Sequence, residues 1–135
     1  LQPGEKVGMV GFFAPVIPQI RQAGCELWIF EKNLSRSEHL FSPEEIPRKL
    51  PDCSVVILSA TTLINHTFEE IVPHFQQARE VVMLGPSTPL LPEILCRYGV
   101  TLLAGMRIVK PKWVLRIVSE GGGTQRLRGA VRKMV

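Results

Sequence analysis

At 135 residues and 15.1 kDa the chain has the length of one domain, enough to bury roughly two-thirds of its unfolded surface. A composition of 45% apolar and 21% charged residues excludes a disordered or fibrous protein, and no apolar run approaches the ~20 residues of a membrane span. The net charge of +4 is uneven: Arg107, Lys110, Lys112, Arg116, Arg126, Arg128, Arg132 and Lys133 face only Glu120 beyond residue 106, so the rest is slightly acidic.

The chain opens at Leu1 with Gly and Pro in QPGEK (2–6), which reads as a linker over 1–5. The expectation is one domain over 1–135 that follows an N-terminal domain. KVGMVG (6–11) is the first of five short apolar runs; the others are ELWIFE (26–31), SVVILS (54–59), EVVMLG (80–85) and TLLAG (101–105). Continuous Val/Ile/Leu runs suit strands buried on both faces, as in a parallel sheet. Helical patterns separate them. Ile17 and Ile20 lie one turn apart before Gly24, and Ser42-Pro43-Glu44-Glu45 is a capping box with Pro at the first helical position. Thr67-Phe68-Glu69-Glu70 is a second box, whose helix carries Phe68, Ile71, Val72 and Phe75 on one face until Pro73 shortens or kinks it.

A helix is expected to end at Tyr98 before Gly99, and another to carry Trp113, Val114, Ile117 and Val118. Leu127, Ala130, Val131 and Met134 have the spacing of a last amphipathic helix. Together these elements predict an α/β fold: a doubly wound, mainly parallel five-stranded sheet, Rossmann-like, in the order 3-2-1-4-5 with helices on both faces. In that order the Gly11–Pro15 and Gly85–Pro89 turns lie side by side at the switch point, where such sheets bind ligands.

The first turn departs from the dinucleotide fingerprint. Gly8 and Gly11 have the wrong spacing, and Phe12 and Phe13 stand where small residues let a pyrophosphate approach. Glu31, twenty residues after Gly11, does occupy the place of a ribose-binding acid; the plainer role is a solvated strand-end carboxylate paired with Lys32 or another base. Gly85-Pro86-Ser87-Thr88-Pro89 offers two hydroxyls before a helix start, one to cap and one to hold an anion. Glu120-Gly121-Gly122-Gly123 is either a close-approach site or a helix terminator.

Cys25, Cys53 and Cys96 are odd in number and widely spaced, consistent with reduced structural thiols in a cytoplasmic protein. His39, His66 and His74 form no metal-binding spacing. The Asn65-His66-Thr67 sequon lacks a secretory context, and no GxSxG, Walker loop or Cys/His nucleophile pattern occurs. The C-terminal basics lack interleaved aromatics, so nucleic-acid binding stands third among the readings.

The VGMVGFFAP turn, the IFEKN strand end, LSATTLINHT, the LGPSTPL loop and the LLAGMRIV…EGGGT stretch together resemble the C-terminal domain of the prokaryotic "Putative heavy-metal chelation" family. The similarity spans most of residues 6–124. It implies a Rossmann-like domain after a smaller α+β domain, with the site in the cleft between them. Matching positions are Gly11, Phe12, Phe13 and Pro15; Glu31; Thr61, Thr62 and Asn65; Gly85, Pro86, Ser87 and Thr88; and Glu120 with Gly121, Gly122 and Gly123. Hydroxyl, amide and carboxylate groups suit a small polar or anionic ligand, or a metal chelate, better than a bare soft metal. The alternative is an enzyme using a nucleotide-type cofactor such as S-adenosylmethionine. Neither a cofactor nor a metal is identified by these residues; the N-terminal domain of the same protein is the expected partner, and a homo-oligomer is compatible.

Overall fold

The structure is a computed structural model that describes residues 1–36 and 39–135. Its strands are β1 (Lys6–Val10), β2 (Glu26–Phe30), β3 (Leu40–Phe41), β4 (Val55–Ser59), β5 (Glu80–Leu84), β6 (Leu102–Ile108) and β7 (Val131–Met134). The helices are α1 (Ile17–Gln22), α2 (Ile46–Lys49), α3 (Thr61–Ile64), α4 (Phe68–Ile71), α5 (Pro92–Leu95) and α6 (Pro111–Ser119). One sheet joins all seven strands in the order β3-β2-β1-β4-β5-β6-β7. β1 to β6 run parallel, and β7 closes the edge antiparallel to β6.

This corrects the five-strand expectation in two places. The run at 54–59 does not sit at the edge beside residues 26–31. It is β4, central between β1 and β5, with Val55 in register with Val7 on one side and Glu80 on the other. The edge position belongs to β3, whose two residues are too few to form a recognisable apolar run. The second correction is at the C-terminus, where the expected amphipathic helix over 127–134 does not form. Val131–Met134 instead pairs with Gly105–Ile108, and the Ala130 carbonyl accepts the N–H groups of Val109 and Lys110. Gly129, at φ +84°, turns the chain into that ladder. Leu127, Ala130, Val131 and Met134 follow the helical period alone, and pairing with the edge of β6 overrides it.

The parallel strands are coated on both faces, as their unbroken apolar runs require. Phe30, Leu50, Leu58, Phe68, Phe75 and Met83 form the larger cluster, under α2, α4 and α5. Val7, Met9, Ile29 and Ile57 point the other way and meet Ile17 and Ile20 of α1. Helix α4 gives way to a 3₁₀ turn over Val72–His74 at the expected Pro73, and Gly99 at φ +90° stops the helical stretch before it. The three cysteines are free; burial, aided by Asp52, pushes the Cys53 thiol up to about 11, so it packs as an inert apolar group. Among the described residues no helix is long and apolar enough to cross a membrane.

Candidate functional site

From β1 the chain winds outward through α1 to β2 and then β3, whereas β4 enters on β1's other side. The carboxyl ends of β1 and β4 are therefore the place where the order reverses, which is where open sheets of this type leave a crevice. A cavity of about 240 Å³ opens there. Val10, Phe30, Ile46, Pro47 and Ile71 supply its apolar lining. Glu31 and Lys32 follow β2; Ser59, Thr61, Thr62 and Asn65 follow β4; Thr67, Glu70 and His74 come from around α4.

Local hydrogen bonds hold this polar wall in place. Ser59 Oγ and Thr61 Oγ1 lie 2.8 Å apart, and the buried Thr62 hydroxyl donates to Ser59 O at 2.7 Å. The Asn65 amide nitrogen faces the carbonyls of Thr61 (3.1 Å) and Thr62 (3.0 Å), groups that can only accept, and Thr67 Oγ1 at 2.7 Å. His66 between them has φ +60°, a conformation rare for a side chain of its size. Thr67 thus serves Asn65 rather than capping α4, which has no side-chain cap. Across the cavity, Glu31 Oε1 accepts the Asn33 N–H at 3.1 Å, which turns the chain sharply after β2.

Of the residues singled out in the sequence, Gly11, Glu31, Thr61, Thr62 and Asn65 are brought together here. Phe12 and Phe13 pack toward α1 on the opposite face, and Pro15 is exposed. Gly85, Pro86, Ser87 and Thr88 follow β5, which β4 separates from β1, so this turn and the Gly11 turn are not neighbours as expected. Between them stand Ser59, against Gly11, and Ala60, against Gly85. Thr88 is 5% exposed and its Oγ1 has no hydrogen-bond partner among the described residues, a loss of about 1–3 kcal/mol for a desolvated hydroxyl.

Glu120–Gly123 lie at the far end of α6. The Gly122 N–H donates to Ile117 O (2.8 Å) and the Gly121 N–H to Val118 O (3.0 Å), with Gly121 at φ +72°. That double bond pattern is a Schellman stop, which accounts for two of the glycines as a helix terminator. Glu120 pairs with Arg116 (3.1 Å) and Arg126 (3.6 Å). Arg132 and Lys133 are neighbours on β7 and so point to opposite faces of the sheet, which divides the basic strip.

The sequence reading missed Lys32, Ser59, Thr67, Glu70 and His74 as cavity residues. Glu70 and His74 did carry a signal, since a spacing of four puts two polar groups on one side of a helical segment. The described residues contain no grouping of three or more His, Cys, Asp or Glu that could hold a metal ion, so this donor set does not fit a directly coordinated metal.

Strand order and crevice define an open α/β domain with a mainly parallel sheet. The whole chain, residues 1–135, matches the family described as "Putative heavy-metal chelation" (DUF364), and it belongs to that family. It is 25% identical over 131 residues to an uncharacterised protein of Methanocaldococcus jannaschii, covering 96% of this chain and 51% of that one. Crystal structures of two DUF364 proteins of unknown function superpose on it. That from Desulfitobacterium hafniense has a TM-score of 0.85 at 27% identity, covering 97% of this chain and 52% of the other. That from Pyrococcus horikoshii has a TM-score of 0.88 at 25% identity, covering 96% and 53%. The chain therefore spans about half the length of these relatives.

Proposed function

We propose that this domain binds a small polar organic ligand in the cavity at the carboxyl ends of β1, β2 and β4. The observation that carries the reading is the cavity itself: an apolar floor with hydroxyl, amide, carboxylate and imidazole groups converging on one side, at the switch point of a parallel sheet. A metal enters this reading only as a chelate whose donor atoms arrive with the ligand, because the cavity's own residues make no metal-binding cluster. The unpartnered Thr88 hydroxyl supports a second contact point beyond Ala60 for a longer ligand.

The test is mass spectrometry of small molecules, with elemental analysis for metals, on the purified protein and on Thr61→Trp, which fills the mouth from an exposed position. The wild type should carry a polar compound that Thr61→Trp lacks at unchanged thermal stability, and any metal should leave with the compound. Equal retention by both proteins, or a wild type that carries nothing, overturns the reading.

A further inference from the structure

The carboxyl edge of the sheet is not level. Leu84, the last residue of β5, is in register with Ala104, and β6 runs on through Gly105–Ile108 paired with β7 alone. At ~3.3 Å per residue this two-stranded ladder stands ~13 Å above the ends of β4 and β5, on the side where such sheets bind ligands.

Arg107 and Arg132 are direct partners in that ladder. Residues directly opposite on antiparallel strands share a face, with Cβ atoms about 4.5–5.5 Å apart, and like charges so placed repel. Both side chains are exposed, and among the described residues neither makes an ion pair or a side-chain hydrogen bond. Glu120, the only acid after residue 106, is held by Arg116 and Arg126. The chain therefore keeps two cations side by side without a counter-charge of its own.

A polar turn packs beneath the pair. Gly105 precedes Arg107 by two residues and so shares its face. A Cβ at Gly105 would lie 3.0 Å from Thr88 O and 3.2 Å from Thr88 Cβ, which seats the Gly85–Thr88 turn against that face. Thr88 Oγ1 is buried without a partner, so turning about the Cα–Cβ bond toward a new acceptor forfeits no hydrogen bond.

We infer that Arg107 and Arg132 are the two arms of a site for a phosphate group, with the Thr88 hydroxyl as a third donor. The guanidinium fork matches phosphate oxygens, and a phosphate monoester carries about −1.5 to −2 charges at pH 7. Two fixed cations balance that charge, whereas a monocarboxylate leaves one of them unmatched. The site uses no residue of the cavity and stands or falls separately; a molecule seated in both would carry its phosphate at the Thr88 end. The face, not the overall charge, does the selecting: Lys133 follows Arg132 but lies opposite Met106 and points to the other side.

Isothermal titration of the 135-residue protein at about 0.15 M salt with inorganic phosphate, glycerol 3-phosphate and acetate tests this. Both phosphates should bind at one site per chain, and acetate about tenfold more weakly or worse. Arg107→Gln and Arg132→Gln should each lose about tenfold or more in phosphate affinity, and Thr88→Val severalfold. Lys133→Gln removes the same charge from the other face and should bind phosphate nearly as wild type does. In phosphate-free buffer both arginine variants should melt no lower than wild type, because each relieves the repulsion of the pair. Tighter binding of glycerol 3-phosphate than of inorganic phosphate would identify an ester as the ligand, and the reverse would identify free phosphate. Absence of saturable phosphate binding, equal binding of acetate, full affinity in any of the three site variants, or equal losses in Lys133→Gln and Arg132→Gln overturns the inference.

Discussion

Residues 1–89 and 90–135 treat apolar side chains in opposite ways. In the first region the strand runs are sunk almost completely: Val7, Met9, Val56, Leu58 and Met83 are all at 0% exposure. The second contains most of the exposed large apolar groups. Leu115 is 70% exposed and Val118 57%, with Trp113, Ile108 and Val109 near half. Helix α6 buries only Val114 and Ile117, whereas its apolar residues cover more than half of its circumference, with Lys112, Arg116 and Ser119 together on the remaining side. The difference teaches that the apolar residues from β3 to β5 are spent on the core, whereas the β6–α6–β7 end leaves many of its own on the surface.

The sharpest way to break this comparison is to delete matched apolar groups from the two regions. Phe75 is 1% exposed and packs on Phe68, so Phe75→Ala should cost about 3–5 kcal/mol in urea unfolding. Leu115→Ala should fall within about 0.5 kcal/mol of wild type. A Leu115→Ala penalty comparable to that of Phe75→Ala would mean that α6 is packed in the isolated domain, and the contrast would fail.

A finer probe stays within the C-terminal region and asks whether it is well formed despite its exposed surface. The three consecutive glycines meet different constraints. A Cβ at Gly122 would lie 2.5 Å from Ile117 Cγ2 and 2.7 Å from its backbone oxygen, and the latter cannot move without opening the Schellman bond. Gly122→Ala should therefore cost about 1–3 kcal/mol. Gly121→Ala has room but keeps φ at +72°, for about 1–2 kcal/mol. Gly123 has neither crowding nor positive φ, so Gly123→Ala should be neutral or stabilising by up to about 1 kcal/mol. Equal effects from all three in thermal melts would show that α6 does not stop in this way.

The same contrast explains what was legible in the sequence. Burial on both faces writes itself as unbroken runs, so β1, β2, β4, β5 and β6 stand out, and with them the loops after their carboxyl ends. Gly11, Glu31, Thr61, Thr62 and Asn65 were accessible for that reason. β3 was not, because Leu40–Phe41 is held by its neighbour's edge rather than by a pattern of its own. That one omission displaced β4 from the centre and set the wrong turns side by side. The residues of β7 carry a helical spacing, and only a non-local ladder with β6 makes them a strand. Glu70 and His74, four residues apart, share one side of the helical segment around α4, but only the packing of that segment turns this side toward the cavity.

The smallest expected effect concerns the ionic pairs at the two ends of this comparison. Glu5 ties the first residues to the amino end of the sheet: Arg79 Nη2 donates to its Oε1 at 2.8 Å, and the Gln2 N–H also binds its carboxylate. The Arg79 hydrogen bond, followed by that backbone N–H, holds the Glu5 carboxyl below the usual carboxylate range. A carboxyl whose folded value is depressed contributes stability above its unfolded value, near 4.3, and loses it as the pH falls through the lower folded value. The stability difference between wild type and Glu5→Gln should therefore be constant well above the unfolded value near 4.3, shrink as the pH falls below it, and weaken with added salt because Arg79 is half exposed. Glu120, 46% exposed and shared between Arg116 and Arg126, should show less: Glu120→Gln should stay within about 0.5 kcal/mol. Denaturant titrations from pH 3 to pH 7 would separate the two. A Glu5→Gln difference that does not change across that range would mean that the pair does not form in solution, and residues 1–5 would then be as loosely held as their linker-like composition suggests.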